Sequence, residues 1–137
     1  MTRRHRLCIV AGAMALFLGI VAGAFGSHAL ARHLTPAMLV VFHTGVEYQL
    51  VHGLGLILIG IASEMSSGKH PPGERAPGAR LLVAAATCMG VGILLFCGSL
   101  YLLALGAPRA LGMLAPAGGT AFLVAWVLFA IGIWRSR

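Results

Sequence analysis

The residues with chemistry beyond packing gather in one run, His43-Thr44-Gly45-Val46-Glu47-Tyr48-Gln49-Leu50-Val51-His52. A carboxyl group among histidines can exchange protons near neutral pH, because imidazole titrates there. His43 and Glu47 are four residues apart, as are Tyr48 and His52. At about 100° per residue, each pair falls on one helix face, one turn apart. The Tyr48–His52 direction lies roughly 100–140° from Glu47, so one regular helix cannot aim all four groups at one ligand. What they do depends on what surrounds them.

Those surroundings are apolar. The 137-residue chain is 59% hydrophobic and 9% charged, whereas soluble domains carry about 25% charged residues. The lipid bilayer is the solvent and partner that fits, and the expected fold class is an all-α membrane protein, a bundle of four transmembrane helices. A net charge of +7 raises nucleic acid as a partner,. The ten Lys and Arg residues, however, lie in short stretches between apolar runs, without interleaved aromatics,. They read as solvated flanks of membrane helices, so no nucleic acid is expected.

Apolar stretches of about 20 residues cross the hydrocarbon core. Four are expected, over about residues 7–25, 37–63, 81–105 and 111–134. The second contains the polar run, and its clean part, Leu50 to Ala62, is only about half a span,. It spans if the polar turn sits inside protein, with Thr35 as N-cap and Pro36 in the first turn. Residues 66–79, SSGKHPPGERAPGA, form the main aqueous loop,. Basic residues in short loops are retained on the cytoplasmic side. Arg3, Arg4, Arg6, Lys69, Arg75, Arg80, Arg135 and Arg137 share one side of a four-span chain, against Arg32 and Arg109 on the other. Both termini are therefore expected in the cytoplasm.

Partners for the polar run at the same depth are Ser27 and His28 at the end of the first helix, and Ser99 and Tyr101 in the third. Three uses compete. As glue, the groups satisfy one another and fix helix registry. As a proton or small-solute site, they centre on Glu47 and His52. As a metal or haem site, they use His28, His43 or His52, yet the Glu-x-x-His signature of di-iron bundles is missing. No metal and no cofactor is expected. Nor is there a GxSxG, a P-loop or a His-Glu-x-x-His,. Cys8, Cys88 and Cys97 have no metal-ligand spacing,.

Ala11, Ala15, Gly19 and Gly23 recur every four residues and form a small-residue stripe for close packing, within the chain or in a homo-oligomer,. Pro116 with Gly118 and Gly119 either breaks the fourth helix near its outer end or simply begins it.

Several motifs match a known group. Gly23-Ala24-Phe25-Gly26-Ser27-His28 resembles the GAFGAH signature of the YgdD-type small inner-membrane proteins, an uncharacterised family. Thr44 to His52 resembles its TGxEYQxxH segment, Leu95 to Tyr101 its LFSGSLY, and Pro116 to Trp126 its PxGGxxFxxGW. Ser27, Cys97 and Ala125 replace a usual alanine, serine and glycine, which argues against an essential hydroxyl at position 97. The resemblance implies a multi-pass protein of the bacterial inner (plasma) membrane, with no settled activity. The expectation is a structural or partner-binding protein, with a homo-oligomer or another membrane protein as partner and no enzymatic role supported. A solute or proton-linked transporter is the alternative.

Overall fold

The computed structural model describes residues 2–67 and 77–136. Lys69, Glu74, Arg75 and Arg137 fall outside the described residues. Among the described residues there are five α-helices: α1 Arg3–His28, α2 Pro36–Ser67, α3 Ala79–Gly92, α4 Gly98–Ala104 and α5 Leu114–Trp134. A wide π turn, Ile93–Cys97, joins α3 and α4 into one rod, so among the described residues the rods long and apolar enough to cross a membrane number four. There is no strand among the described residues. Leu30–Arg32 and Arg109–Met113 form short 3-10 turns between rods.

The polar run does not interrupt α2. Thr35 Oγ1 accepts from Met38 N–H at 3.3 Å at its start, and Pro36 sits where a backbone N–H has no intrahelical acceptor anyway. Ser66 and Ser67, expected in the loop, are the last residues of α2.

α2 is the most buried rod and the hub of the fold. α1 packs along it, α3 packs along α5, and α2 also meets α3, the π turn and α4. In lipid no apolar driving force pulls helices together, so close backbone approach matters. The seam between α1 and α2 is built on Gly12, Gly19 and Gly26, spaced by seven and all buried. A Cβ at Gly12 would stand 2.6 Å from the Gly53 carbonyl oxygen and 2.9 Å from Ile57 N. At Gly19 and Gly26 it would meet Leu50 and Phe42. Of the stripe expected from Ala11, Ala15, Gly19 and Gly23, the last three lie against α2, with Val46 3.2 Å from an added Cβ at Gly23 and the Ala15 Cβ 3.2 Å from one at Gly53. Steps of four drift about 40° each around a helix, whereas a step of seven drifts only about 20°. Ala11 has rotated onto the exposed side, and the seam uses Gly19 of that set fully, with Ala15 and Gly23 at its margin.

Residues 2 and 136 lie at the same end of the bundle, here termed the basic end. Ser136 Oγ donates to Pro77 O at 3.2 Å and Gly132 O at 2.6 Å, tying the end of α5 to the start of α3. Gly78 between them takes φ +84°, a conformation L side chains avoid, with the Gly132 carbonyl against it,. At the same end His5 Nδ1 lies 2.7 Å from Glu64 Oε2 and joins α1 to α2. Elsewhere the exposed surface is large and apolar, with Phe17, Ile20, Leu94, Leu123 and Val127 all outward, as acyl chains require.

Gly12→Val is expected to cost about 1–3 kcal/mol in reconstituted unfolding measurements, because backbone on the α2 side cannot yield to the new atoms. Gly98→Ala, where an added Cβ meets nothing within 4 Å, should leave the unfolding midpoint unchanged.

Candidate functional site

Gln49 is the polar centre of the bundle. It is buried, at 7% exposure. Its Nε2 donates to the Ala15 carbonyl of α1 at 2.9 Å, and its Oε1 accepts from the Tyr101 hydroxyl of α4 at 2.8 Å. One side chain on α2 thus holds the first and third rods. Ala15 sits about 18–20 Å along the axis from either end of α1, near the middle of a spanning helix. There an unpaired amide has no water to turn to, and burying one without a partner costs several kcal/mol.

The π turn makes that bond reachable. Leu82, Ala85 and Met89 of α3 face the core. In a regular helix Tyr101 would lie about 120° around from Met89; one extra residue in a π turn brings it within about 20°. Ser99, itself buried, donates to the Phe96 carbonyl in that turn at 2.9 Å. Gly118 of α5 lies directly on the Phe96 backbone, where a Cβ would overlap it. Pro116, Gly118 and Gly119 therefore do not break α5, which is continuous from Leu114. Pro116 falls in its first turn, Gly118 is a contact, and Gly119 has only the Phe96 ring near it.

His52 belongs to a second cluster. Its Nδ1 lies 2.7 Å from the Tyr48 carbonyl oxygen, so Nδ1 carries the hydrogen. The ring stacks on Phe122 with centroids 3.4 Å apart and on Tyr48 at 5.7 Å, and Trp126 stands 6.1 Å away. Tyr48 in turn packs on Phe96 at 4.5 Å. This is an aromatic box with one polar member, and it fixes α2 against α5 and the π turn.

The remaining polar residues do not join. Glu47 is exposed on α2 and makes no side-chain hydrogen bond or ion pair among the described residues. Ser27 and His28 are exposed at the end of α1. His43 is half-buried, edge-on to Phe42 at 6.3 Å and close to Gly26. His28 and His52 are also far apart in depth, since His52 lies 16 residues into α2, about 24 Å along its axis from Pro36,. Among the described residues no three of His, Cys, Asp and Glu come together as metal ligands would.

Two features escape a reading of motifs. The aromatic box is contributed partly by Phe96 and Phe122, which stand inside two of the quoted motifs, but the motifs do not show that both rings gather around Tyr48 and His52. The outward face of α2 carries Val40, Thr44, Glu47, Val51, Leu54, Leu58, Ile61 and Met65, alternating steps of four and three. That heptad spacing was legible, but only burial shows the face to be unpartnered. On the opposite side of α2, Gln49 and Leu56 floor an apolar cleft of about 450 Å³ between α1 and the third rod.

Tyr101→Phe is expected to lower unfolding stability in lipid by about 0.6–1.7 kcal/mol, and Gln49→Leu by more, since it frees two partners. The double variant should cost less than the sum, because both changes remove one shared bond.

The chain matches the family described as "Protein of unknown function (DUF423)" over residues 22–119. It is similar to the UPF0382 membrane protein YwdK of Bacillus subtilis, 33% identical over 92% of this chain and 94% of that one. A UPF0382 membrane protein of Haemophilus influenzae is 34% identical, covering 91% of each chain. The UPF0382 inner membrane protein YgdD of Escherichia coli is 28% identical over 96% of this chain and 92% of its own length. No solved structure matches.

Proposed function

The chain belongs to the DUF423 family, whose relatives are membrane proteins, and from that premise we propose that it is a structural, self-associating protein of the bacterial inner membrane. Its termini lie in the cytoplasm. One observation carries the reading: Gln49, Tyr101, Ser99 and His52 find their hydrogen-bond partners within the bundle, while Glu47 points outward at membrane depth. Ionisable residues in spanning helices face protein or a water-filled cavity, because hydrocarbon cannot solvate them. Glu47 sits 11 residues from Pro36, about 16 Å along α2,, so a second protein surface covers it.

The heptad face around Glu47 suits another helix with the same spacing. A second copy in the same orientation meets that need, since it presents the same carboxyl and the Thr44 hydroxyl at the same depth. Carboxyl to carboxyl or carboxyl to hydroxyl pairing then replaces the missing water. The transporter reading draws less support. Glu47 and His52 lie about 140° apart on α2, and His52 is enclosed by rings.

In liposomes, energy transfer between labelled copies should report dimers that persist on dilution with lipid. Glu47→Leu should weaken dimerisation about threefold or more, Glu47→Gln should preserve most of it, and Leu54→Trp should disrupt the seam. A strictly monomeric protein at every protein-to-lipid ratio would refute self-association.

Support for the orientation comes from Arg3, Arg4, Arg6, Arg80 and Arg135, which lie at the basic end, against Arg32 and Arg109 at the other,. A cysteine at the exposed Thr2, in a variant lacking the native three, is expected to resist impermeant maleimide in intact cells and react after lysis. Labelling in intact cells would reverse the assignment.

A further inference from the structure

At the basic end, α1, α2 and α3 enclose a basin of about 560 Å³. Its walls carry Arg3 and Arg4 from α1, Ser63, Ser66 and Ser67 from α2, and Arg80 from α3. Ser66 is buried, at 5% exposure, and its Oγ has no hydrogen-bond partner among the described residues. A buried hydroxyl left unpaired costs about 1–3 kcal/mol, so its retention points to a missing acceptor or donor. The basin also collects the N-terminal ends of α1 and α3, whose first N–H groups lack intrahelical acceptors and favour anions. Among the described residues the nearby acid is Glu64, which is engaged by His5 and does not line the basin. Ser67 Oγ donates to the Ser63 carbonyl, which leaves three guanidinium groups, the Ser66 hydroxyl and two helix starts as a receptor for a phosphate group.

The apolar cleft lies beneath it between the same rods, about 10 Å further along their axes,. Ser63 and Ser67 face the same side of α2 as Leu56 and Gln49, within about 40°, and both cavities lie between α1 and the third rod. Arg4 and Met14, which line the basin and the cleft, are ten residues apart on α1, about 15 Å. The cleft is walled by Met14, Leu18 and Leu94, with Gly90 and Gly98 giving it depth, since a Cβ at either would meet nothing within 4 Å. A charged head above an apolar channel of that length is the shape of one lipid.

We propose that the groove between α1 and the third rod is a binding site for an anionic glycerophospholipid, its phosphate in the Arg3, Arg4, Arg80 and Ser66 basin and an acyl chain in the cleft beneath. The site does not depend on how copies associate, because it lies on the side of α2 opposite Glu47.

Native mass spectrometry of the delipidated, detergent-purified protein tests it, with phosphatidylglycerol, phosphatidylcholine of the same chains, glycerophosphoglycerol and inorganic phosphate as probes. Phosphatidylglycerol should be retained about tenfold or more over phosphatidylcholine, and Arg3→Gln with Arg80→Gln should remove that preference. Gly98→Leu, which fills the cleft, should weaken phosphatidylglycerol at least severalfold while leaving binding of inorganic phosphate unchanged. Equal retention of the two lipids, or full phosphatidylglycerol binding by the double arginine variant, overturns the proposal. So does binding of glycerophosphoglycerol or phosphate as tight as that of the intact lipid, which would make the basin a site for soluble phosphates.

Discussion

Hydrocarbon offers no hydrogen bonds, and the structure is organised around that fact at Gln49. A primary amide at mid-membrane must find both a donor and an acceptor within the protein. It finds the Ala15 carbonyl on one neighbour and the Tyr101 hydroxyl on the other. Two bonds in different directions fix the rotation of α2 and its depth relative to both. Satisfying them requires two local departures from a plain helical bundle, one on each neighbouring rod.

On α1 the departure is the absence of side chains. A backbone carbonyl in a helix is normally screened by the residues above and below it. With Gly12 and Gly19 flanking Ala15 on the side of α2, the α1 backbone comes near enough for an amide nitrogen to reach past its own helical bond. On the third rod the departure is the π turn. It rotates Tyr101 onto the face that Leu82 and Met89 already present, so that rod contributes apolar packing at one end and a hydroxyl near the other. Gly118 then fits against the widened backbone, and the start of α5 is set by the same turn. Packing and hydrogen bonding are one solution.

The four spans were legible because length and hydropathy suffice to mark a segment that crosses lipid. The content of the polar run was legible too, including that its members point in several directions. Which member faces inward was not, since helical period gives angles between residues but no origin. Fixing the origin needs the neighbours: α1 approaches α2 through Gly53 and Gly60, and the third rod through Gly45, so Gln49 falls between them and Glu47 outside. The expected network of Ser27, His28, His43, Glu47, Tyr48, Gln49, His52, Ser99 and Tyr101 thus separates into a clamp that joins Gln49 to Tyr101, an aromatic box that joins His52 to Tyr48, and an outward carboxyl at Glu47. The π turn left no trace, because Ile93 to Cys97 is uniformly apolar and its register shift concerns only backbone. The stripe at steps of four drifts around the helix, so Ala11 leaves the seam while Ala15, Gly19 and Gly23 stay against α2; the recurrence of glycine at 12, 19 and 26, which drifts less, was present in the same helix,.

Because α1 is held to the rest almost entirely through α2, the hub keeps two uncovered faces, and their chemistry differs in a way that sorts their occupants. Toward the cleft, polar groups are confined to the basic end and to the saturated pair Gln49–Tyr101, with apolar walls between. An amphiphile anchored at the interface satisfies such a gradient, and a water-filled path does not, since nothing along the walls would hold the water. On the other face an ionisable carboxyl stands at depth among Val40, Val51 and Leu54. An acyl chain cannot satisfy that group, whatever its headgroup, because no aliphatic carbon accepts or donates a hydrogen bond. A single rod therefore divides its surroundings between lipid and protein according to where along its length the polar atoms sit.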